Sequence, residues 1–417
     1  MTTTLPQPVD SATRRKMIIF LCAVVLDLFT SMSKVLIPGS LFEALGRDLN
    51  CSAAMLTAIG SAYMYSYAAS QLCLGLFADR FGGVRILLFG GTLFAVGSLA
   101  APFLNSPYTM IAARIVTAFG AGTVFIAIAK MIADLFPQKF ALVMGCVMFL
   151  GYFGPVIGGF PTVYLVERFT WRPVLGAYGL IPVICMSLAW LLCRGTIKPV
   201  MPGGTLDRVK TILGNRDGLV LFVCSGVVFG SFYAILTSIG QKALEDSMGL
   251  GRFAASLVVT SLGVLVAFCN LFTSGILRLA GNHRKALLVG MFTLTFLGNV
   301  LGAIAFGCGR GTVLLVIAFY LVTLPAGGFS LFGEIAKTIY PASCTGLAVA
   351  TLNLVAFVFI ALYGNLAGVV LHCFEAQAVN GIYPATTYMA MFLGFSALGL
   401  LGVVLSLLLR LRRDAEG

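Results

Sequence analysis

The stretch Gly75–Leu87, GLFADRFGGVRIL, decides how the rest of the chain is read. It places Asp79, Arg80, Arg85 and the adjacent Gly82 and Gly83 between two long apolar runs. No charged residue stands between Cys51 and Ala78, and none between Ile86 and Leu104. A tight charged turn between two such runs is what a chain leaves at a bilayer surface when it crosses and returns.

Composition supports that reading along the whole length. The chain has 417 residues, of which 59% are hydrophobic and 10% charged, with a mean hydropathy of +1.01. A soluble domain carries about 25% charged residues. So few polar side chains cannot cover a water-facing surface, and the main solvent must be lipid. The net charge of +12 comes from short loops and chain ends rather than one basic face, so nucleic acid is not expected as a partner. The 11 cysteines are scattered without a C-x-x-C pair and there are 2 histidines, which points away from a zinc site or disulfide framework. His283 and His372 fall on opposite sides of the membrane in this reading. Neither a phosphate-binding loop nor a nucleophile–base motif is found. An enzyme is therefore not expected, nor a cofactor, nor ATP as the direct energy source.

Twelve apolar segments are long enough to cross as helices: 17–44, 51–78, 84–104, 108–136, 140–166, 171–193, 218–244, 251–279, 285–307, 311–340, 345–373 and 384–410. Their continuity excludes the period-two pattern of a membrane barrel. The polar start MTTTLPQPVDSATRRK has no cleavage signature, so the first span is expected to be retained. Lys and Arg bias puts both termini in the cytoplasm of a cell (inner) membrane, with Arg14, Arg15, Lys16, Arg80, Arg85, Lys139, Arg194, Lys198, Arg208 and Arg412 on that side.

The longest connection on that side divides the chain into an N-terminal bundle (1–194), a linker (195–217) and a C-terminal bundle (218–417). The halves echo each other weakly. GLFADRFGGVRIL finds a counterpart in GILRLAGNHRKAL, and AKMIADLFPQKFALVMG in GEIAKTIYPASCTGLAVA, which aligns Pro137 with Pro341. Repetition at half the chain length suggests two similar six-helix bundles with a site between them.

Charges inside spans cost at least about 2.5–3.5 kcal/mol each and need a reason. Asp27 lies roughly 15 Å into the first span, where a carboxylate either packs by hydrogen bonding or works as a proton carrier. Lys34 is about 10 Å further along the same face, too far for a direct pair, and either snorkels to headgroups or faces a cavity. Arg114 in the fourth span needs carboxylates, carbonyls or an anionic substrate around its guanidinium. Lys130 and Asp134 form an i,i+4 step near the inner end of that span, loosely echoed by Glu334 and Lys337. Tyr63, Tyr67, Tyr233, Gln241, Asn270, Tyr320 and Asn353 are individually weak signals that fit interhelical hydrogen bonding.

With those residues in view, GLFADRFGGVRIL resembles the loop 2–3 signature of the major facilitator superfamily, with Gly83 and Val84 where basic residues are common. RIVTAFGAG resembles the family's span 4 motif, with Ala118 in place of a glycine, and GYFGPVIGGF its span 5 Gly-Pro motif. The resemblance implies an all-α fold of twelve transmembrane helices in two pseudo-symmetric bundles. It also implies a cytoplasmic gate, in which Asp79 caps the positive end of span 11 while Arg80 or Arg85 pairs with Asp134.

The expected function is secondary transport of a small organic solute by alternating access, an organic anion coupled to protons, with proton-driven multidrug efflux as the alternative. Asp27 is the candidate proton carrier, because low dielectric disfavours the charged form of a carboxylate. Arg114 and Lys34 are the candidates for the anion, with Tyr233 and Asn353 lining the same site. The partners are then the solute, protons and the bilayer, with one chain working as a monomer.

Overall fold

The computed structural model describes residues 11–193, 210–279, 283–308 and 311–409. Eleven helical segments among them are long and apolar enough to cross a membrane. The twelfth rod, α3, is 29 residues long, or about 43 Å at 1.5 Å per residue. It falls outside that set because it carries Thr57, Ser61, Tyr63, Tyr65, Ser66, Tyr67, Ser70 and Gln71, which suit a helix buried between others rather than one facing lipid.

In chain order the helices are α1 (Ser11–Leu36), α2 (Phe42–Asp48), α3 (Ala53–Phe81), α4 (Gly83–Ala100), α5 (Pro107–Leu135), α6 (Phe140–Gly158), α7 (Phe160–Phe169) and α8 (Trp171–Leu192). The second half supplies α9 (Arg216–Ala234), α10 (Gly240–Met248), α11 (Arg252–Leu279), α12 (Arg284–Gly307), α13 (Thr312–Ala326), α14 (Phe329–Ile339), α15 (Ala342–Cys373) and α16 (Ala385–Leu408). The start of α1 and the end of α16 lie at one face, called proximal; the opposite face is distal.

The packing repeats between halves. Span 1 lies on span 5 (α1 on α6) as span 7 lies on span 11 (α9 on α15). Span 3 lies against spans 4 and 6 (α4 on α5 and α8) as span 9 lies against spans 10 and 12 (α12 on α13 and α16). The halves meet along two related seams, α3 on α15 and α6 on α11. Phe222, Phe292, Phe332 and Phe395 are buried in the second half, while large apolar side chains such as Leu191, 65% exposed, form the outer belt. That inside-and-outside greasiness is expected of a protein dissolved in lipid.

Three spans are interrupted where a single run was expected. The fifth breaks at Gly159, between α6 and α7, after Pro155 inside α6. The tenth breaks at Gly327 and Gly328 after Pro325. Proline deletes an intrahelical donor and glycine tolerates the break, while neighbouring helices re-satisfy the freed groups. In the seventh span a π-turn, Ile235–Ile239, joins α9 to α10. The first span ends at Leu36 rather than 44, because Pro38 and Gly39 turn the chain into a 3-10 turn and the short α2 on the distal face.

The opening motif makes the expected turn. Gly82 has φ +77°, a conformation that favours glycine, and a Cβ at Gly83 would stand 2.9 Å from the Ala127 carbonyl oxygen of α5. One glycine makes the bend and the other lets α4 seat on α5.

Candidate functional site

Halfway across the bundle, α1 and α3 of the first half face α15 and α9 of the second. Asp27 and Lys34 are each 8% exposed on α1. Asp27 has no hydrogen bond to its carboxylate and no ion pair among the described residues. Gly151 of α6 leaves it room, since a Cβ there would come within 2.9 Å of Oδ2.

Lys34 reaches from the last turn of α1 to the seam between α3 and α15. Its Nζ lies 4.3 Å from the centre of the Tyr67 ring on α3 and 4.8 Å from that of Phe357 on α15. The rings themselves are in contact, with centroids 4.3 Å apart. The ammonium is thus held by two aromatic faces, with no hydrogen-bond acceptor among the described residues. Tyr233 of α9 stands beside Phe357 at 6.3 Å, extending the aromatic wall.

One helical turn toward the proximal face, Asn353 Nδ2 donates to Gln71 Oε1 at 2.9 Å across the same seam. On the second seam Asn270 Nδ2 of α11 donates to the Tyr152 hydroxyl of α6, also at 2.9 Å. Tyr320 pairs with Ser261 at 2.6 Å within the second half, as interhelical packing.

Arg114 sits elsewhere. Only 2% exposed, it donates from Nη1 to the Ser33 carbonyl (3.0 Å) and Oγ (2.9 Å), and from Nη2 to the Ile37 carbonyl (2.9 Å). Its guanidinium carbon lies 3.9 Å over the Tyr63 ring. A helix end leaves its last carbonyls unpaired, and Arg114 binds those of α1 to α5. Its Nη groups therefore face the Ser33 and Ile37 carbonyls and the Ser33 hydroxyl rather than the seam that holds Lys34.

Of the proximal charges, Asp79 and Arg80 have side chains outside the described residues. Arg85 is half-buried in the first turn of α4 and Asp134 is exposed at the end of α5. Arg85 and Asp134 make no ion pair with each other.

The distal face is closed. The Phe160 amide of α7 donates to Thr260 Oγ1 of α11 at 2.7 Å, and Glu167 faces Arg252 at 4.0 Å. A Cβ at Gly39 would stand 3.0 Å from the Thr237 carbonyl oxygen of the opposite half. Along the α3–α15 seam Gly368 abuts Thr57, and a Cβ at Gly364 would meet Ser61 Oγ at 2.6 Å. Within the second half, Lys242 Nζ binds Asp246 (3.1 Å) and the Gly381 carbonyl (2.9 Å), while Asp246 accepts from the Tyr388 hydroxyl (2.7 Å) and the Tyr383 amide (3.0 Å). Burial, with Glu375 and Asp246 nearby, pushes the Tyr383 hydroxyl up to about 12, so it stays protonated beside those carboxylates.

Gln71, Phe357 and Tyr152 were not among the residues singled out for the site. The spacing Tyr63, Tyr67, Gln71 puts three polar side chains on one face of α3, and that i, i+4, i+8 stripe was the available signal.

Residues 19–211 match the model of the Major Facilitator Superfamily. The gallate transporter of Pseudomonas putida is 30% identical over 177 residues, which is 42% of this chain and 39% of that protein. Multidrug resistance protein MdtL of Escherichia coli (strain K12 / DH10B) is 25% identical over 244 residues, 55% of this chain and 60% of that one. The chain thus aligns with between 39% and 60% of the length of these curated relatives. Among solved structures, a bacterial homolog of the human lysosomal transporter Spinster, in an inward-facing and unoccupied conformation, superposes with a TM-score of 0.77 at 14% identity, covering 95% of this chain and 97% of that one. A D-xylose–proton symporter gives 0.70 at 14% identity, with 94% and 97% covered. Twelve spans in two related bundles and the loop motif agree with these likenesses: residues 19–211, just under half of the chain, match the Major Facilitator Superfamily, and the whole chain shares the fold of these solved transporters.

Proposed function

We propose that the chain is a secondary transporter that moves an aromatic or other organic carboxylate by alternating access, coupled to protons. The observation that carries this reading is Lys34, a cation from one half held between Tyr67 of the same half and Phe357 of the other. An anion bound there touches both halves, so its binding energy can differ between the two ways the halves pack. The gallate in the relative's name joins a carboxylate to an aromatic ring, the two features such a cation flanked by rings would meet. Asp27, buried and without a partner of its own, supplies the ionisable group for the proton. Both halves of the site lie in one chain, so a monomer suffices.

Asp27→Asn is the direct test. An amide keeps the size and much of the hydrogen bonding but cannot ionise. In proteoliposomes it should abolish gradient-driven accumulation of a labelled carboxylate and spare exchange, which needs no net proton movement. Full accumulation in the variant would remove Asp27 from the mechanism.

A second reading, proton-driven efflux of drugs, is favoured by the longer alignment with MdtL and by the GYFGPVIGGF stretch of the fifth span. Transport of cationic dyes with no transport of carboxylates would select it. In either case the proximal face is read as cytoplasmic in the cell membrane. A cysteine introduced at Thr205 in a cysteine-free background should stay unlabelled by an impermeant reagent in intact cells; efficient labelling would invert the orientation.

A further inference from the structure

Glu43 and Glu245 come from opposite halves and meet on the distal face. Glu43 stands on α2, close after Gly39, which seats on the Thr237 backbone, and Glu245 stands on α10. Together with Ser40, Gln241, Arg252 and Ser256 they line one cleft between the halves. The Glu43 carboxyl lies within hydrogen-bonding reach of the Glu245 carboxyl. Each has one oxygen already engaged: Glu43 Oε2 accepts from Arg47 Nη2 at 3.0 Å, and Glu245 Oε1 accepts from Gln241 Nε2 at 2.8 Å. An ionised carboxylate has no donor, so two of them at this range repel, whereas a single proton between them makes a hydrogen bond. The surrounding charges leave room for that proton. Arg252 of α11 faces Glu167 of α7 at 4.0 Å as well as attracting Glu245. Lys242 and Asp246 of α10 pair with each other at 3.1 Å, and the Tyr388 hydroxyl of α16 donates to Asp246. The guanidiniums of Arg47 and Arg252 thus stand among the carboxyls of Glu43, Glu245 and Glu167, and one proton balances the cluster.

We propose that Glu43 and Glu245 form a proton-binding site that latches the distal face, with one proton from the distal solvent bridging the two carboxyls and holding the halves together. The proton sits on an oxygen of one carboxyl and is shared with the other. When it returns to the solvent through the cleft, the two carboxylates repel across the seam. The bond exists only while the halves are packed here, so its proton biases the equilibrium between the closed and the distally open packing. At acid pH the latch adds a hydrogen bond to the close packing of Gly39, Gly364 and Gly368; as pH rises, that bond gives way to repulsion. This rests on the alternating-access reading above but on no particular substrate, and the site is separate from Asp27 on α1.

The test is the rate at which an impermeant thiol reagent labels Ser61→Cys in the purified, otherwise cysteine-free full chain, at about pH 5 and about pH 9. Each rate is divided by that of the same protein carrying Glu43→Gln and Glu245→Gln, at the same pH. The division cancels the titration of the thiol and of Asp27, and the amides keep a hydrogen bond between the halves without needing a proton. The ratio should rise about tenfold from the acid to the alkaline condition. A flat ratio overturns the latch. Should the double variant not fold, Glu43→Gln alone takes its place, since its amide donates to the Glu245 carboxylate at either pH; the same rise is expected and a flat ratio overturns the latch again. Gly364→Leu is the reference for distal opening. Labelling in Gly364→Leu with a flat ratio strikes the latch and leaves alternating access standing. No labelling even in Gly364→Leu removes alternating access, and this inference falls with it.

Discussion

The two faces of the bundle differ in what lines them. The distal face is sealed by shape: Gly39 against the Thr237 backbone, Gly364 and Gly368 against Ser61 and Thr57, and α7 laid on α11. The proximal face holds the charged motif, and there Asp134 is exposed and unpaired with Arg85. Among the described hydrogen bonds between halves, Gln71–Asn353 and Tyr152–Asn270 reach furthest toward the proximal face. Close packing of small residues is specific and works over short distances. Charges at a wet membrane edge exchange water for a partner at small net gain, and they make and break easily.

The largest expected effect comes from spoiling the shape seal. Gly364→Leu places a side chain where even a Cβ meets Ser61 Oγ at 2.6 Å. Transport should fall by at least about tenfold as the distally open packing gains population. A cysteine at Ser61 in a cysteine-free background should then become reachable from the distal side. Wild-type transport with a protected Ser61→Cys would break the contrast between the two faces.

Arg114→Lys comes next and bears on the rigidity of the distal end of α1. Lysine keeps the charge but loses the fork that binds the Ser33 and Ile37 carbonyls, at a cost of about 1.5–3 kcal/mol. A lower thermal midpoint with unchanged affinity for carboxylates is expected. Unchanged stability with weakened carboxylate binding would return Arg114 to the substrate.

On the proximal side, Asp79→Asn should slow transport about fivefold with normal expression, as the loss of one charge near a helix end implies. Unaltered rates would end the gate assignment. The smallest effect belongs to Arg252→Gln. Its partner Glu167 is 4.0 Å away and partly exposed, so only about a twofold change is expected. A tenfold change would mean that the distal seal depends on charge after all.

What the sequence disclosed follows from range. Apolar runs, the charged turn and the half-length repeat are local or composition-level signals, and they led to twelve spans in two bundles. The interruptions of spans five and ten were visible as Pro155, Gly158, Gly159, Pro325, Gly327 and Gly328, yet an apolar run reads the same whether it is broken or not. Asp27 and Lys34 stood out because charge at membrane depth is rare. Their surroundings did not, because Phe357 and Gln71 belong to helices about 280 residues apart in sequence whose register only three-dimensional packing determines. Arg114 shows the reverse: the sequence says that a guanidinium needs acceptors, and the backbone at the end of α1 provides them.

The π-turn at Ile235–Ile239 has a consequence for how the seventh span tolerates change in length. A π-turn is an α-helix with one extra residue taken up in a widened turn, so the helix beyond it keeps nearly the phase it would have without that residue. Removing one residue there, such as Thr237, should let the helix close into regular α geometry while Lys242 and Asp246 keep the face they present to Gly381, Tyr383 and Tyr388. The same deletion at Val227, inside the regular α9, would turn that face away from its partners. Length variation in this span is therefore absorbed at one place, and a deletion scan read by folded yield should show a single permissive window at the π-turn.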